Sequence, residues 1–127
     1  MRIMLSGACG PIFQSYFKYI KNLNIEVLGV DIRENKFTRN LLGSNFLLSP
    51  SAEKDPDAYL DFLKNNINKF DLFFPYSDEE LLVLSKLSKD SILRKKVIVS
   101  SERSIQICND KKLFYDFSIE NNIPVPA

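Results

Sequence analysis

The stretch from Arg2 to Pro11 (RIMLSGACGP) restricts the possible folds more than any other part of the chain. Ile3, Met4 and Leu5 run together without the apolar–polar alternation of a half-exposed strand, which predicts a strand buried on both faces at the centre of a parallel sheet. Gly7 and Gly10 permit a sharp turn out of that strand. Pro11 suits the first position of a helix, where its fixed φ helps and its missing N–H is not needed. The same geometry would serve a phosphate-binding loop or a simple strand-to-helix connection.

The pattern continues in alternation. Ile12, Phe13, Tyr16, Phe17 and Ile20 fall at helical spacing and predict an amphipathic helix from Pro11 to about Asn22. Ile25–Val30 reads as a second strand with Asp31 at its C-terminal end, completing a right-handed βαβ unit. Arg33 to Gly43 is polar, with a short helical turn expected near Thr38–Leu42, and Phe46–Leu48 forms a short third strand. Asp55 and Pro56 open a helix that should run to about Asn68, and Asp71–Phe74 is a fourth strand. Ser77 and Glu80 have the spacing of a capping box at the head of a helix from Asp78 to about Lys89. Val97–Val99 reads as a fifth strand. Ser101 then caps a short helix from Glu102 to about Cys108, and Asn109 or Asp110 caps another from Lys111 to about Glu120. Two prolines impose an extended exit over Asn121 to Ala127. The expected fold is α/β, a three-layer sandwich with a mostly parallel five-stranded Rossmann-like sheet. Residues 1–120 would form that domain, and 121–127 the start of a linker.

Length and charge bound the function. A chain of 127 residues is large enough for one real core and too small for a two-domain enzyme. Seventeen basic against 16 acidic residues leave a net charge of +1, which gives no field favouring nucleic acid or an anionic membrane. Cys9 and Cys108 lie far apart without a CxxC pattern, and no secretory leader is evident, so a reducing cytoplasm is expected. No apolar run is long enough to span a bilayer. Histidine is absent, which removes the commonest general base and the commonest metal ligand.

In an open α/β sheet, ligands bind beyond the carboxyl ends of the strands, where the strand order reverses. Gly7–Gly10, Asp31, Pro75–Glu79 and Ser100–Glu102 should converge there. A dinucleotide fingerprint needs G-x-G-x-x-G, but Cys9 occupies the middle glycine position and Ile12 or Phe13 the last. Asp31 stands about where a ribose-binding acid would. A Walker loop is excluded because no G-K-[ST] follows. Asp78, Glu79 and Glu80 serve a helix N-terminus in the simplest account, while Asp78 or Glu79 could also face the cationic or amine group of a substrate. A metal site is not expected. A phosphoacceptor receiver domain has similar length and alternation, but Ser6, Gly7, Ser49 and Ser100 stand where its acids and lysine should be.

Taken together, S-G-A-C-G-P (Ser6–Pro11), G-V-D (Gly29–Asp31), P-Y-S-D-E-E-L (Pro75–Leu81), V-S-S (Val99–Ser101), I-C-N-D-K (Ile107–Lys111) and N-N-I-P-V-P (Asn121–Pro126) resemble the N-terminal domain of ATP-grasp ligases. The similarity is greatest to proteins related to the carbamoyl phosphate synthase large subunit, and it covers nearly the whole chain. The resemblance implies a pre-ATP-grasp domain whose strand ends form one wall of a substrate cleft, with Gly7, Asp31, Asp78 and Glu79 on the substrate side. It implies that ATP and Mg²⁺ are held mainly by further lobes, so the 127 residues alone should be inactive and hold no cofactor. In relatives such as biotin carboxylase the lysine of an aligned D-K pair reaches ATP phosphates, and the match here is Asp110 and Lys111. The pattern departs at Cys9, where a third glycine is more common. The substrates implied are a small carboxylate, activated as an acyl phosphate, and a nucleophile. A homodimer is compatible with the sequence. The alternative is a free-standing Rossmann-like module that binds a dinucleotide or docks onto a partner.

Overall fold

The structure, a computed structural model, describes residues 1–20 and 22–125. Lys21, inside the expected first helix, and Pro126 and Ala127, at the end of the expected exit, lie outside the described residues. Four strands, β1 (Arg2–Ser6), β2 (Glu26–Asp31), β3 (Phe46–Leu48) and β4 (Leu72–Phe74), pair in parallel in the order β3-β2-β1-β4. Ile3 lies opposite Val27 on one side and Leu72 on the other, so β1 is flanked on both edges as its unbroken apolar run required. Seven α-helices accompany the described strands: α1 (Pro11–Ile20), α2 (Lys36–Leu42), α3 (Pro56–Asn65), α4 (Asp78–Ser85), α5 (Ile92–Lys96), α6 (Glu102–Asn109) and α7 (Lys111–Glu120). The protein is α/β with a parallel sheet.

The expected fifth strand is a correction. Around Val97–Val99 only a single parallel bridge forms, Val97 with Phe73, in which the Ile98 N–H donates to the Phe73 carbonyl at 2.9 Å. The next rung of a parallel ladder would need a donor at Pro75, and proline has none. Carbonyls of the segment are taken instead by Arg94, whose guanidinium donates to Val97 at 3.4 Å and Val99 at 2.8 Å. A further difference lies just before it. The helix expected to reach Lys89 stops at Ser85, and Ser91 caps the separate α5 by accepting from the Arg94 N–H.

Side chains alternate across the sheet and build two cores. Ile3, Leu5 and Val27 face α1 and α2, packing with Ala8, Phe13, Leu42 and Phe46. Met4, Leu28, Val30 and Phe73 face the other way, against Tyr59 and Leu63 of α3, Leu84 of α4 and Leu93 of α5. Gly29 lies on the α1–α2 face, where a Cβ would come within 2.3 Å of Leu42 Cδ1 and 3.0 Å of Ala8 Cβ. The glycine therefore permits the tight approach of the first turn to β2. The helices begin where capping chemistry puts them. Asn35, Asp55, Ser77, Ser91, Ser101 and Asp110 each accept a backbone N–H from the first turn that follows. Among the described residues, no helix is long and apolar enough to cross a membrane.

Beyond β4 the α1 side of the sheet is open. An apolar groove of about 380 Å³ lies there, lined by Leu5, Ile12, Tyr16, Phe74 and Pro75 among others.

Candidate functional site

The chain runs outward from β1 through β2 to β3, then crosses back to β4 on the other side of β1, so the order reverses between β1 and β4. The turns after these two strands diverge and leave a crevice. It holds about 300 Å³, and its walls include Gly7 and Gly10 after β1, Asp31 after β2, Ser49 and Ser51 after β3, and Tyr76 and Glu79 after β4.

The two turns at the reversal are tied together by a carboxylate. Glu80, only 9 % exposed, accepts from the Ser6 hydroxyl at 2.5 Å, the Tyr59 hydroxyl at 2.8 Å, and the backbone N–H groups of Tyr76 and Ser77 at 3.1 Å each. The Tyr76 N–H also donates to Ser6 Oγ at 2.7 Å, so the end of β1 and the turn after β4 share one hydrogen-bonded knot. Four donors converge on one carboxylate, which is how a buried charge is tolerated. Burial, then the Glu80 charge and its hydrogen bond, push the Tyr59 phenol far above its ordinary value, so it remains a donor. The Ser77–Glu80 capping box forms as the spacing predicted. Sequence spacing alone accounts for Glu80 as a helix cap. Its further bond to Tyr59 across the sheet end has no local signature, because it joins residues 21 apart.

The glycine turn spends its donors on itself and its neighbours. The Ala8 N–H donates to the Val30 carbonyl at 3.2 Å, the Cys9 N–H to Asp31 Oδ2 at 2.9 Å, and the Gly10 N–H to the Gly7 carbonyl at 2.9 Å. A phosphate cradle needs such N–H groups free and converging. Asp31 is similarly engaged: its Oδ1 accepts the Arg33 N–H at 2.9 Å, so each of its oxygens already holds a protein N–H. Gly7 takes φ +69°, and a Cβ there would meet the Tyr76 ring at 2.9 Å. Glycine is thus required both by the backbone and by the aromatic ring above it.

The expected substrate-side residues divide. Gly7, Asp31 and Glu79 line the crevice, whereas Asp78 is exposed and does not. Lys111 is exposed at the first position of α7 and lies outside the crevice wall. At the start of α4, Glu79's own backbone N–H and the Ser77 hydroxyl hold the Glu79 carboxyl below the usual carboxylate range. Four carboxylates (Asp31, Glu53, Glu79 and Glu80) line the crevice against the single guanidinium of Arg33. Such a wall attracts cations and repels polyphosphates. The arrangement does not fit ATP. It does not fit Mg²⁺ either: Asp31 and Glu80 already accept two and four protein donors, and no group of three possible metal ligands occurs among the described residues. No protein-family model matches this chain, and no curated protein matches it in sequence.

Proposed function

We propose that this chain is the substrate-side, pre-ATP-grasp domain of an ATP-dependent ligase similar to carbamoyl phosphate synthase large-subunit proteins. One observation carries the proposal. Two of the segments that resemble that family, Ser6–Pro11 and Pro75–Leu81, are bonded to each other through Ser6, Tyr76 and Glu80 and together wall a crevice at the point of strand reversal. Such ligases activate a small carboxylate as an acyl phosphate, which a nucleophile then attacks. This chain would supply one wall of the cleft where those substrates meet. ATP and Mg²⁺ belong to further lobes on this reading, in keeping with the poor fit of both to the crevice. The finer architecture of a three-layer sandwich belongs to the same reading and is supported by apolar cores on both faces of the sheet. A cytoplasmic location is part of it as well.

Lys111 is the residue that would touch a phosphate of ATP bound by the neighbouring lobe. Its ammonium is free to do so at the exposed head of α7, where Asp110 caps the helix by accepting from Lys112 and Leu113. When the domain is assayed together with ATP-grasp lobes, ADP release should depend on both a carboxylic acid and a nucleophile. Lys111→Ala should raise the KM for ATP about tenfold, the loss expected for one charge-assisted hydrogen bond. Folding stability should be unchanged, because the side chain is exposed. An unaltered KM would remove Lys111 from the site, and ADP release that ignores the acid would overturn the ligase assignment.

A further inference from the structure

Among the buried residues of the crevice, one polar side chain has no partner within the described protein. Ser49 follows β3 and is only 9 % exposed, and its backbone N–H donates to the Asp31 carbonyl at 2.9 Å. Its hydroxyl has no hydrogen-bond partner among the described residues. Yet no fully enclosed side-chain nitrogen or oxygen among them lacks a partner, so the Ser49 hydroxyl reaches open space. The space it borders is the crevice. An unpartnered hydroxyl in a nine-tenths buried residue of the cavity wall is a position where a ligand hydrogen bond adds affinity without breaking a protein one.

The charges around it select the ligand. Glu79 and Glu53 are exposed on the same wall, and the Glu53 carboxylate accepts no hydrogen bond from the described residues. Arg33 is the only cation of the wall, and its guanidinium already leans to within 4.0 Å of Asp31. An anion entering here meets uncompensated negative charge, whereas an ammonium is attracted.

We infer that the crevice binds a small primary amine bearing a neighbouring hydroxyl or carbonyl group, with the ammonium held by Glu79 and Glu53 and the second group bonded to the Ser49 hydroxyl. In calling that amine the nucleophile of the ligation, the inference rests on the ligase reading; the binding itself requires only this chain. The site lies at the ends of β3 and β4, clear of Lys111.

Ethanolamine is a suitable probe because it carries both groups. Titrated into the isotopically labelled chain and followed by amide NMR shifts, it should cause saturable changes at Ser49, Ser51 and Ser77–Glu79. Sodium acetate and inorganic phosphate at the same ionic strength should not. Glu79→Gln and Ser49→Ala should each weaken ethanolamine about three- to fivefold, the scale of one partly exposed ionic or hydrogen-bonded contact. The same spectra report whether each variant is folded, and Glu53→Gln, at an exposed position, gives a third variant with the same expectation. Absence of saturable shifts, equal shifts with acetate or phosphate, or unchanged affinity in all three variants would overturn the inference. The two proposals fail separately. Amine binding without acid-dependent ADP release would leave the site standing and remove the ligase, while acid-dependent ADP release without amine binding would do the reverse.

Discussion

Glu80→Ala should lower the unfolding free energy by about 3–5 kcal/mol, because it removes the common acceptor of four donors and one half of a helix cap. The Tyr59 and Ser6 hydroxyls would be left in a buried pocket with no carboxylate, and the turn after β4 would keep only the Tyr76 N–H to Ser6 Oγ bond as its tie to the end of β1. The effect is large against the 5–15 kcal/mol that about this size of domain has in total. Glu80→Gln should fall between wild type and alanine, since the amide keeps one acceptor oxygen but turns an NH₂ group toward other donors. Urea denaturation measures both. A loss below about 1 kcal/mol for the alanine variant, the level of an ordinary surface change, would show that the knot contributes little.

The second large effect is expected on the opposite face. Gly29→Ala places a methyl group 2.3 Å from Leu42 Cδ1, 3.0 Å from Ala8 Cβ and 3.2 Å from the Phe13 ring. Leu42 ends in a flexible side chain and can swing aside. Ala8 cannot, because its Cβ is fixed to the backbone of the turn after β1 and its N–H is bonded to Val30. The strain must therefore move that turn or α1, at a cost of about 2–3 kcal/mol. Gly43 is the useful contrast. Its Cβ would meet nothing within 4 Å, so the cost of Gly43→Ala comes from the backbone alone, about 1–3 kcal/mol for a side chain at φ +55° and ψ −123°. A loss below about 1 kcal/mol for Gly29→Ala in urea unfolding would contradict the packing described for the turn.

Much of the architecture could be read from local patterns because local chemistry determines it. The apolar run Ile3–Leu5 is buried on both faces, and the Ser77–Glu80 spacing forms its capping box. The α7 boundaries follow from Asp110 as cap and the turn at Asn121. Val97–Val99 has strand composition, but a ladder depends on its neighbour, and Pro75 lies where the partner donor is needed. Propensity within a segment carries no information about that.

The same limit applies to the crevice. The place of Gly7, Asp31 and Glu79 after strands points to the crevice, and all three line it. Their roles differ from the first expectation, since Asp31 holds the Cys9 and Arg33 N–H groups in place, and Gly7 makes room for the Tyr76 ring. Asp78 sits one position before Glu79 on a helix, and that 100° rotation turns it away from the cavity. Ser49 has no signature in the sequence, because an unsatisfied hydroxyl is a property of three-dimensional surroundings, not of the residue or its neighbours along the chain.

Calorimetric titration of the 127-residue chain with NAD, NADP and ATP tests the central claim most directly, because the claim is that the turn after β1 is the wall of a substrate cleft and not a nucleotide cradle. With the N–H groups of Ala8, Cys9 and Gly10 all bonded within the protein and four carboxylates in the crevice, none of the three nucleotides should bind in the micromolar range. Micromolar binding of NAD or NADP would contradict the account and favour a free-standing dinucleotide-binding module.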